Sequence, residues 1–290
     1  MSKIAFLGLG LMGTPIATRL LEAGNDVVVW DRTEERTKPL VKLSALAAAS
    51  PAQAAAGVDV AITMLANPEA LEAVVFGQDG LAAALGPGQV LIDMSTVGPD
   101  VIRSAARRLP QGVTVVDAPV RGSVPEATDG KLAIFVGATD EMFDRVAKLL
   151  APLGTVHHVG GPGAGAAMKV VVNSTLGAAM AALGEALALG DAFGLDRKAV
   201  LDVLADSPIG STVRAKRDNI ESGTYPPNFK LRLALKDLHL VTDAAAEAGR
   251  ELKLAPASLA WLEEAARAGA GDLDFSAVVA TIVGGTAGEP

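Results

Sequence analysis

The stretch that most restricts the fold lies near the start of the chain. Residues 3–7, KIAFL, are an apolar run of strand length. GLGLMG follows at 8–13, a helical pattern extends to Glu22, and VVVW at 27–30 is a second apolar run closed by Asp31. Strand, G-x-G-x-x-G, helix, strand and acid in this order make a βαβ unit of the dinucleotide-binding kind. Gly8 permits the tight turn, Gly10 lets the backbone approach a pyrophosphate, and Gly13 lets helix and strand pack closely. Leu9, Leu11 and Met12 complete the loop, and the helix start behind it offers N–H groups and a partial positive charge. Asp31 can accept from ribose hydroxyls and favours NAD. Arg32, followed by Thr33, can pair with a 2′-phosphate and favours NADP. Either cofactor fits this reading.

The alternation continues. Strands are expected at 59–65, 89–95, 114–119, 132–137 and 155–160, with helices between them, one over 140–150. Such a pattern specifies an α/β fold, a largely parallel doubly wound sheet of Rossmann type. Ligands of such sheets sit outside the carboxyl ends of the strands, where the turns at 65–67, 95–97 and 119–123 lie. After Gly160 the strand patterns stop, and helices are expected over about 163–193, 197–206, 211–222, 231–248, 255–268 and 275–283. The expected organisation is a dinucleotide-binding domain at 1–162 and an all-helical substrate and oligomerisation domain at 163–290, beginning with the long linking helix.

That helix, at 1.5 Å per residue, is about 40 Å long. Its sequence is rich in Ala, Val and Leu, with Lys169 and Asn173 four residues apart and therefore on one face. A membrane span is disfavoured because the uncharged run between Lys169 and Glu185 falls short of the roughly 20 residues a bilayer needs. A core helix with Lys169 reaching solvent is the plain alternative to a helix that lines a cleft and points Lys169 at a ligand.

Composition narrows the partners. Half of the residues are hydrophobic, aromatic residues make up 3%, and the formal net charge is -8 with no block of like charges. No nucleic-acid or membrane-surface partner is expected. There is no cysteine, hence no disulfide framework. Only three histidines occur, and His157 and His158 are neighbours on a strand with side chains on opposite faces, so no metal site is expected. Residues 1–10 hold too short an apolar run for a signal peptide, and a soluble cytoplasmic protein is the expectation.

Further motifs make the pattern specific. DMST at 93–96, DAPVRGS at 117–123, GAGAAMKVVVN at 163–173 and LKDL at 235–238 follow GLGLMG in order. Over essentially its whole length the chain resembles the β-hydroxyacid dehydrogenases, the group of 3-hydroxyisobutyrate dehydrogenase, tartronate semialdehyde reductase and glyoxylate/succinic semialdehyde reductase. The resemblance implies that residues 8–13 hold the pyrophosphate and that Asp31, Arg32 and Thr33 surround the adenosine ribose. It implies that Leu65 and Thr96 lie along the cofactor near the nicotinamide, and that Lys236 reaches the cofactor from the helical part. Lys169 is then the catalytic group and Asn173 positions the substrate. The family usually has DAPVSGG where this chain has DAPVRGS. The loop that grips the substrate carboxylate is therefore Arg121, Gly122 and Ser123, and Arg121 can bind an anion or serve a substrate with a second acidic group. The resemblance also implies a homodimer or homotetramer.

Oxidising an alcohol by hydride transfer requires removal of its hydroxyl proton, and the reverse requires its return. A lysine amine can do both when burial brings its pKa toward neutrality. The expected activity is NAD(P)-dependent interconversion of a small β-hydroxy acid and its semialdehyde. Imine reductases share the architecture, but many carry Asp or Tyr at the Lys169 position. A non-catalytic dinucleotide sensor need not keep Lys169 and Asn173.

Overall fold

The computed structural model describes residues 2–285. Its strands are β1 Lys3–Leu7, β2 Asp26–Trp30, β3 Leu46–Ala47, β4 Val60–Thr63, β5 Val90–Asp93, β6 Thr114–Asp117, β7 Val120–Arg121, β8 Leu132–Gly137 and β9 Gly154–Gly160. The helices between them are α1 Gly13–Glu22, α2 Lys38–Val41, α3 Pro51–Ala55, α4 Pro68–Phe76, α5 Pro99–Arg108, α6 Val124–Asp129 and α7 Asp140–Leu150. Then come α8 Ala164–Ala192, α9 Arg197–Leu204, α10 Gly210–Ser222, α11 Leu231–Glu247, α12 Leu254–Arg267 and α13 Val278–Ile282. The chain divides into two compact units, Met1–Lys169 and Val170–Pro290.

In the first unit the strand order is β3-β2-β1-β4-β5-β6-β8-β7, with β9 beside β8. The pairs from β3 to β6 are parallel. Their register sets Leu7 beside Trp30 and Thr63, Thr63 beside Asp93, and Asp93 beside Asp117. The carboxyl ends of β1, β2, β4, β5 and β6 therefore form one row. β8 reverses direction against β6 at Asp117 and Gly137, and β7 continues the line of β6 to pair Arg121 with Ala133. The two-residue strands β3 and β7 carry no alternation that a sequence pattern could reveal, and β7 lies where a turn was expected.

Alternation along β1 shows why both faces of the sheet are covered. Ile4 and Phe6 pack into one cluster with Ile16 and Leu20 of α1, whereas Ala5 and Leu7 face Leu71 and Val75 of α4 and Ile102 of α5. Burying each large aliphatic side chain contributes about 1.5–3 kcal/mol. Pro at the first positions and Asn67 as N-cap start α4, with the Asn67 side chain accepting from the Ala70 N–H. That start follows directly on the turn that ends β4.

The second unit is helical. Met180, Leu183 and Leu187 of α8 share a stripe that packs with Leu201, Val213, Leu231, Leu238, Leu262 and Val278. By length and composition alone α8 is apolar enough to cross a membrane, with a mean hydropathy of 1.4 over an 18-residue window, of which 28% is buried. The electrostatic centre of this unit is Asp274, fully buried. Its carboxylate receives Lys216 Nζ at 2.8 and 3.0 Å, the Phe229 N–H at 3.1 Å, and the Ser276 hydroxyl and N–H at 2.7 and 3.1 Å. Burial alone would raise its pKa, but Lys216 and Ser276 outweigh burial and hold the carboxyl below the usual carboxylate range.

Asp274→Ala leaves the partly buried Lys216 ammonium without this counter-ion, and the N–H groups of Phe229 and Ser276 without their acceptor, and is expected to cost about 3 kcal/mol in urea unfolding at pH 7. The carboxyl titrates lower in the folded than in the unfolded chain. Its contribution is therefore complete above the ordinary carboxylate pKa, and the difference between variant and wild type shrinks as pH falls through the folded value.

Candidate active site

The glycine turn between β1 and α1 is built by close approach. Gly8 has φ +100°, and a Cβ at Gly13 would fall on the Gly8 carbonyl oxygen. A Cβ at Gly10, by contrast, would meet nothing within 4 Å, which leaves the backbone open there. The first turn of α1 contains no acidic residue, and Met12 at the N-cap makes no side-chain cap. The N–H groups at this helix start are thus not neutralised by the chain's own carboxylates, and the residues present fit a dinucleotide pyrophosphate.

Asp31 is fastened to this turn. Its Oδ2 accepts the Leu9 N–H at 2.7 Å, its Oδ1 accepts the Thr33 N–H at 2.8 Å, and Arg36 Nη1 lies 3.5 Å from Oδ1. Both oxygens already hold a backbone donor, so Asp31 ties the end of β2 to the glycine loop whatever it does for a ribose. Arg32 and Thr33 are exposed beside it.

Leu65 and Thr96 sit in the turns after β4 and β5, and one carboxylate joins those turns. Asp93 Oδ1 accepts the Thr63 and Ser95 hydroxyls, each at 2.7 Å, and the Ser95 oxygen accepts the Leu65 N–H at 2.8 Å. Asp93 Oδ2 is buried without a hydrogen-bond partner. Burial lifts this carboxyl to about 6, against the opposing bonds from Ser95 and Thr63 and with a further push from Asp117. Asp117, on the neighbouring strand, accepts the Gly163 N–H on Oδ1 and the Ala166 N–H on Oδ2, both at 2.7 Å. Burial raises it as well, and those helix N–H bonds oppose the rise. Lys169, half-buried, follows Ala166 by three residues on α8.

The loop Arg121–Ser123 leads into α6. Arg121 is exposed. Glu126 Oε2 accepts both the Ser123 N–H at 2.7 Å and the Ser123 hydroxyl at 2.8 Å, a capping box. Those Ser123 bonds outweigh burial and keep Glu126 below the usual carboxylate range. Gly122 lies between them with φ +131°.

In the helical unit Asn173 is buried, and its Nδ2 donates to Asp237 Oδ2 at 2.8 Å. Asp237 Oδ1, also buried, has no hydrogen bond of good geometry; its near neighbour is Lys236 Nζ at 2.7 Å. Asn173, Lys236 and Asp237 thus form one polar group on α8 and α11. The sequence motifs assign no role to Asp93, Asp117, Glu126 or Asp237, although Asp93, Asp117 and Asp237 lie within three of them. Asp93 and Asp117 did carry a signal, each being an acid that closes an apolar strand, where burial demands donors.

A largely parallel sheet with an open glycine turn, an acid at the end of β2 and polar turns along the row of strand ends defines a dinucleotide-binding domain of Rossmann type. A profile described as the NAD binding domain of 6-phosphogluconate dehydrogenase matches residues 3–161, and one described as NAD-binding of NADP-dependent 3-hydroxyisobutyrate dehydrogenase matches 163–282. The 3-hydroxyisobutyrate dehydrogenase of Pseudomonas aeruginosa is 36% identical over 290 residues, covering 96% of this chain and 97% of its own. The structure of Mycobacterium tuberculosis 3-hydroxyisobutyrate dehydrogenase with L-serine matches with a TM-score of 0.85 and 30% identity over 97% of this chain and 99% of that one. An imine reductase from Streptomyces aurantiacus is more distant, with a TM-score of 0.63 and 27% identity over 97% of this chain and 99% of its own. The chain belongs to the β-hydroxyacid dehydrogenase family.

The raised Asp93 pKa has a sign that can be tested. The carboxyl titrates higher folded than unfolded, so the stability it confers is complete below its ordinary value and is lost as pH rises through about 6. The interval from 3.8 to about 6 corresponds to about 3 kcal/mol. Asp93→Asn retains an acceptor for both hydroxyls and does not titrate. Its unfolding free energy relative to wild type is expected to improve by up to that amount between pH 4 and pH 7.

Proposed function

We propose that the protein reversibly oxidises a small β-hydroxy acid to its semialdehyde, with Lys169 as the general acid and base. The bound nicotinamide supplies and receives the hydride. Lys169 takes the hydroxyl proton during oxidation and returns one to the carbonyl oxygen during reduction, where its positive charge also stabilises alkoxide character. Asn173 orients the substrate, with its amide held by Asp237. The loop of Arg121, Gly122 and Ser123 takes the substrate's anionic group. Gly8, Leu9, Gly10, Leu11, Met12 and Gly13 hold the pyrophosphate, Asp31, Arg32 and Thr33 flank the ribose, and Leu65, Thr96 and Lys236 complete the cofactor contacts.

The observation that carries this reading is local to the sheet unit. Lys169 is the only cation in α8, and it stands one turn beyond N–H groups fastened to the carboxyl end of β6. That end belongs to the same row of strand ends as the glycine turn. The proposal includes a dinucleotide-binding domain at 1–162, a helical domain at 163–290 and a cytoplasmic location. It also includes self-association. Val171, Leu189, Phe193 and Leu195 support a homodimer or homotetramer, because they are apolar and 56–71% exposed at α8 and just past its end.

Lys169→Ala is expected to lower kcat at least a thousandfold with NAD(P)+ and 3-hydroxyisobutyrate, and with NAD(P)H and succinic semialdehyde, while NAD(P)H binding followed by fluorescence stays within threefold of wild type. Turnover retained in that variant removes Lys169 from the chemistry. Arg32→Ala is expected to weaken NADPH binding about tenfold and leave NADH binding unchanged, since only the former carries the 2′-phosphate.

A further inference from the structure

We propose that Asp117 is the positioning residue for Lys169: its buried carboxylate fixes where α8 begins, and so where the amine stands. This rests on the assignment of Lys169 as the acid and base.

The geometry is specific. Asp117 is fully buried at the last position of β6, and its two oxygens are divided between two N–H groups at the start of α8, those of Gly163 and Ala166. Those donors belong to a helix start that has no intrahelical acceptor for them. A carboxylate with two acceptor oxygens can take both at once, which neither a hydroxyl nor an amide can do in the same place. The approach is close at two glycines. A Cβ on Gly165 would collide with the Phe135 carbonyl and come within 3.0 Å of Asp117 Oδ2, and a Cβ on Gly137 would fall 2.5 Å from Oδ1 and 2.7 Å from the Gly165 nitrogen. The helix therefore starts in one place on the sheet, held by two charge-assisted bonds against glycines that leave no slack. Ala166 to Lys169 is one turn, so a displacement at the Asp117 contact is passed to the lysine with little attenuation. The function of Asp117 is separate from that of Asp93 on the adjoining strand. Asp93 holds the turns of Leu65 and Ser95, whereas Asp117 holds the helix of Lys169.

The test is Asp117→Asn in the full chain. The amide replaces one acceptor with a donor, so one of the two helix N–H groups faces another N–H. With NAD(P)H and succinic semialdehyde, kcat is expected to fall thirtyfold or more while the Kd for NAD(P)H stays within threefold. The kinetic isotope effect from deuterium at the transferred position is expected to rise, because the chemical step becomes slower than release. Independently of turnover, amide hydrogen exchange across residues 163–169 is expected to quicken at least tenfold, with β1 and α1 unchanged. Unchanged exchange at 163–169, kcat within twofold of wild type, or cofactor affinity falling in parallel with kcat overturns the proposal. Should Asp117→Asn not fold, Gly137→Ala, which keeps the charge but pushes the carboxylate aside, is held to the same outcomes. The failures are separable: an active Lys169→Ala refutes the acid–base assignment, whereas an inactive Lys169→Ala with an unaltered Asp117→Asn refutes only the positioning.

Discussion

The approach of Gly13 to the Gly8 carbonyl is the constraint from which the sheet unit follows. With any side chain at Gly13 the first helix would have to stand off from the first strand, and the N–H groups at its start would no longer open beside the chain reversal. With hydrogen there, α1 lies against β1, and Ile16 and Leu20 reach the same apolar layer as Ile4 and Phe6. Asp31 then draws the next strand end to the same turn through the Leu9 N–H. The open backbone at Gly10 and the closed packing at Gly13 are two results of one omission of side chains.

The two units handle buried charge in opposite ways. Asp274 has a cation, Lys216, as well as dipolar donors, and it is held ionised. Asp93 and Asp117 receive hydroxyl and N–H donors and sit beside each other at the carboxyl ends of two adjoining interior strands, and burial raises both. The helical unit thus has an ion pair at its centre, while the sheet unit holds two adjoining buried carboxyls with hydroxyl and N–H donors beneath the row of turns. That arrangement is tolerated because every oxygen but Asp93 Oδ2 has a donor.

Most of the architecture was legible because it is written in local periods. Residues 3–7, 132–137 and 140–150 begin and end where the apolar pattern and the turn residues say, as β1, β8 and α7. The long helix was visible as a proline-free stretch rich in Ala, Val and Leu after Gly163, and it runs from Ala164 to Ala192. β3 and β7 were not legible, since two residues hold no period and are strands only because a neighbouring strand pairs with them. The site divided along the same line. The glycine turn and Lys169 announce themselves by motif and by oddity of context. The bonds from Asp117 to residues 46 and 49 positions away, and from Asn173 to a carboxylate 64 positions away, are products of tertiary placement that no window of sequence contains. Ser123 shows a third case. Its place in the loop was visible, but not that Glu126 already occupies its hydroxyl and its N–H.

That occupation gives the loop a ready-made shape. A segment that must freeze when its ligand arrives spends part of the contact energy on its own ordering, whereas one already fastened does not. Ser123 is clasped by Glu126 from within the chain, so the turn is fastened before any small molecule reaches it, and the Arg121 side chain beside it is exposed. Discrimination at such a rim is a matter of reach. In the proposed role of this loop as the anion site, the backbone is the template of constant size and the long cationic arm of Arg121 is what would meet acids of different length.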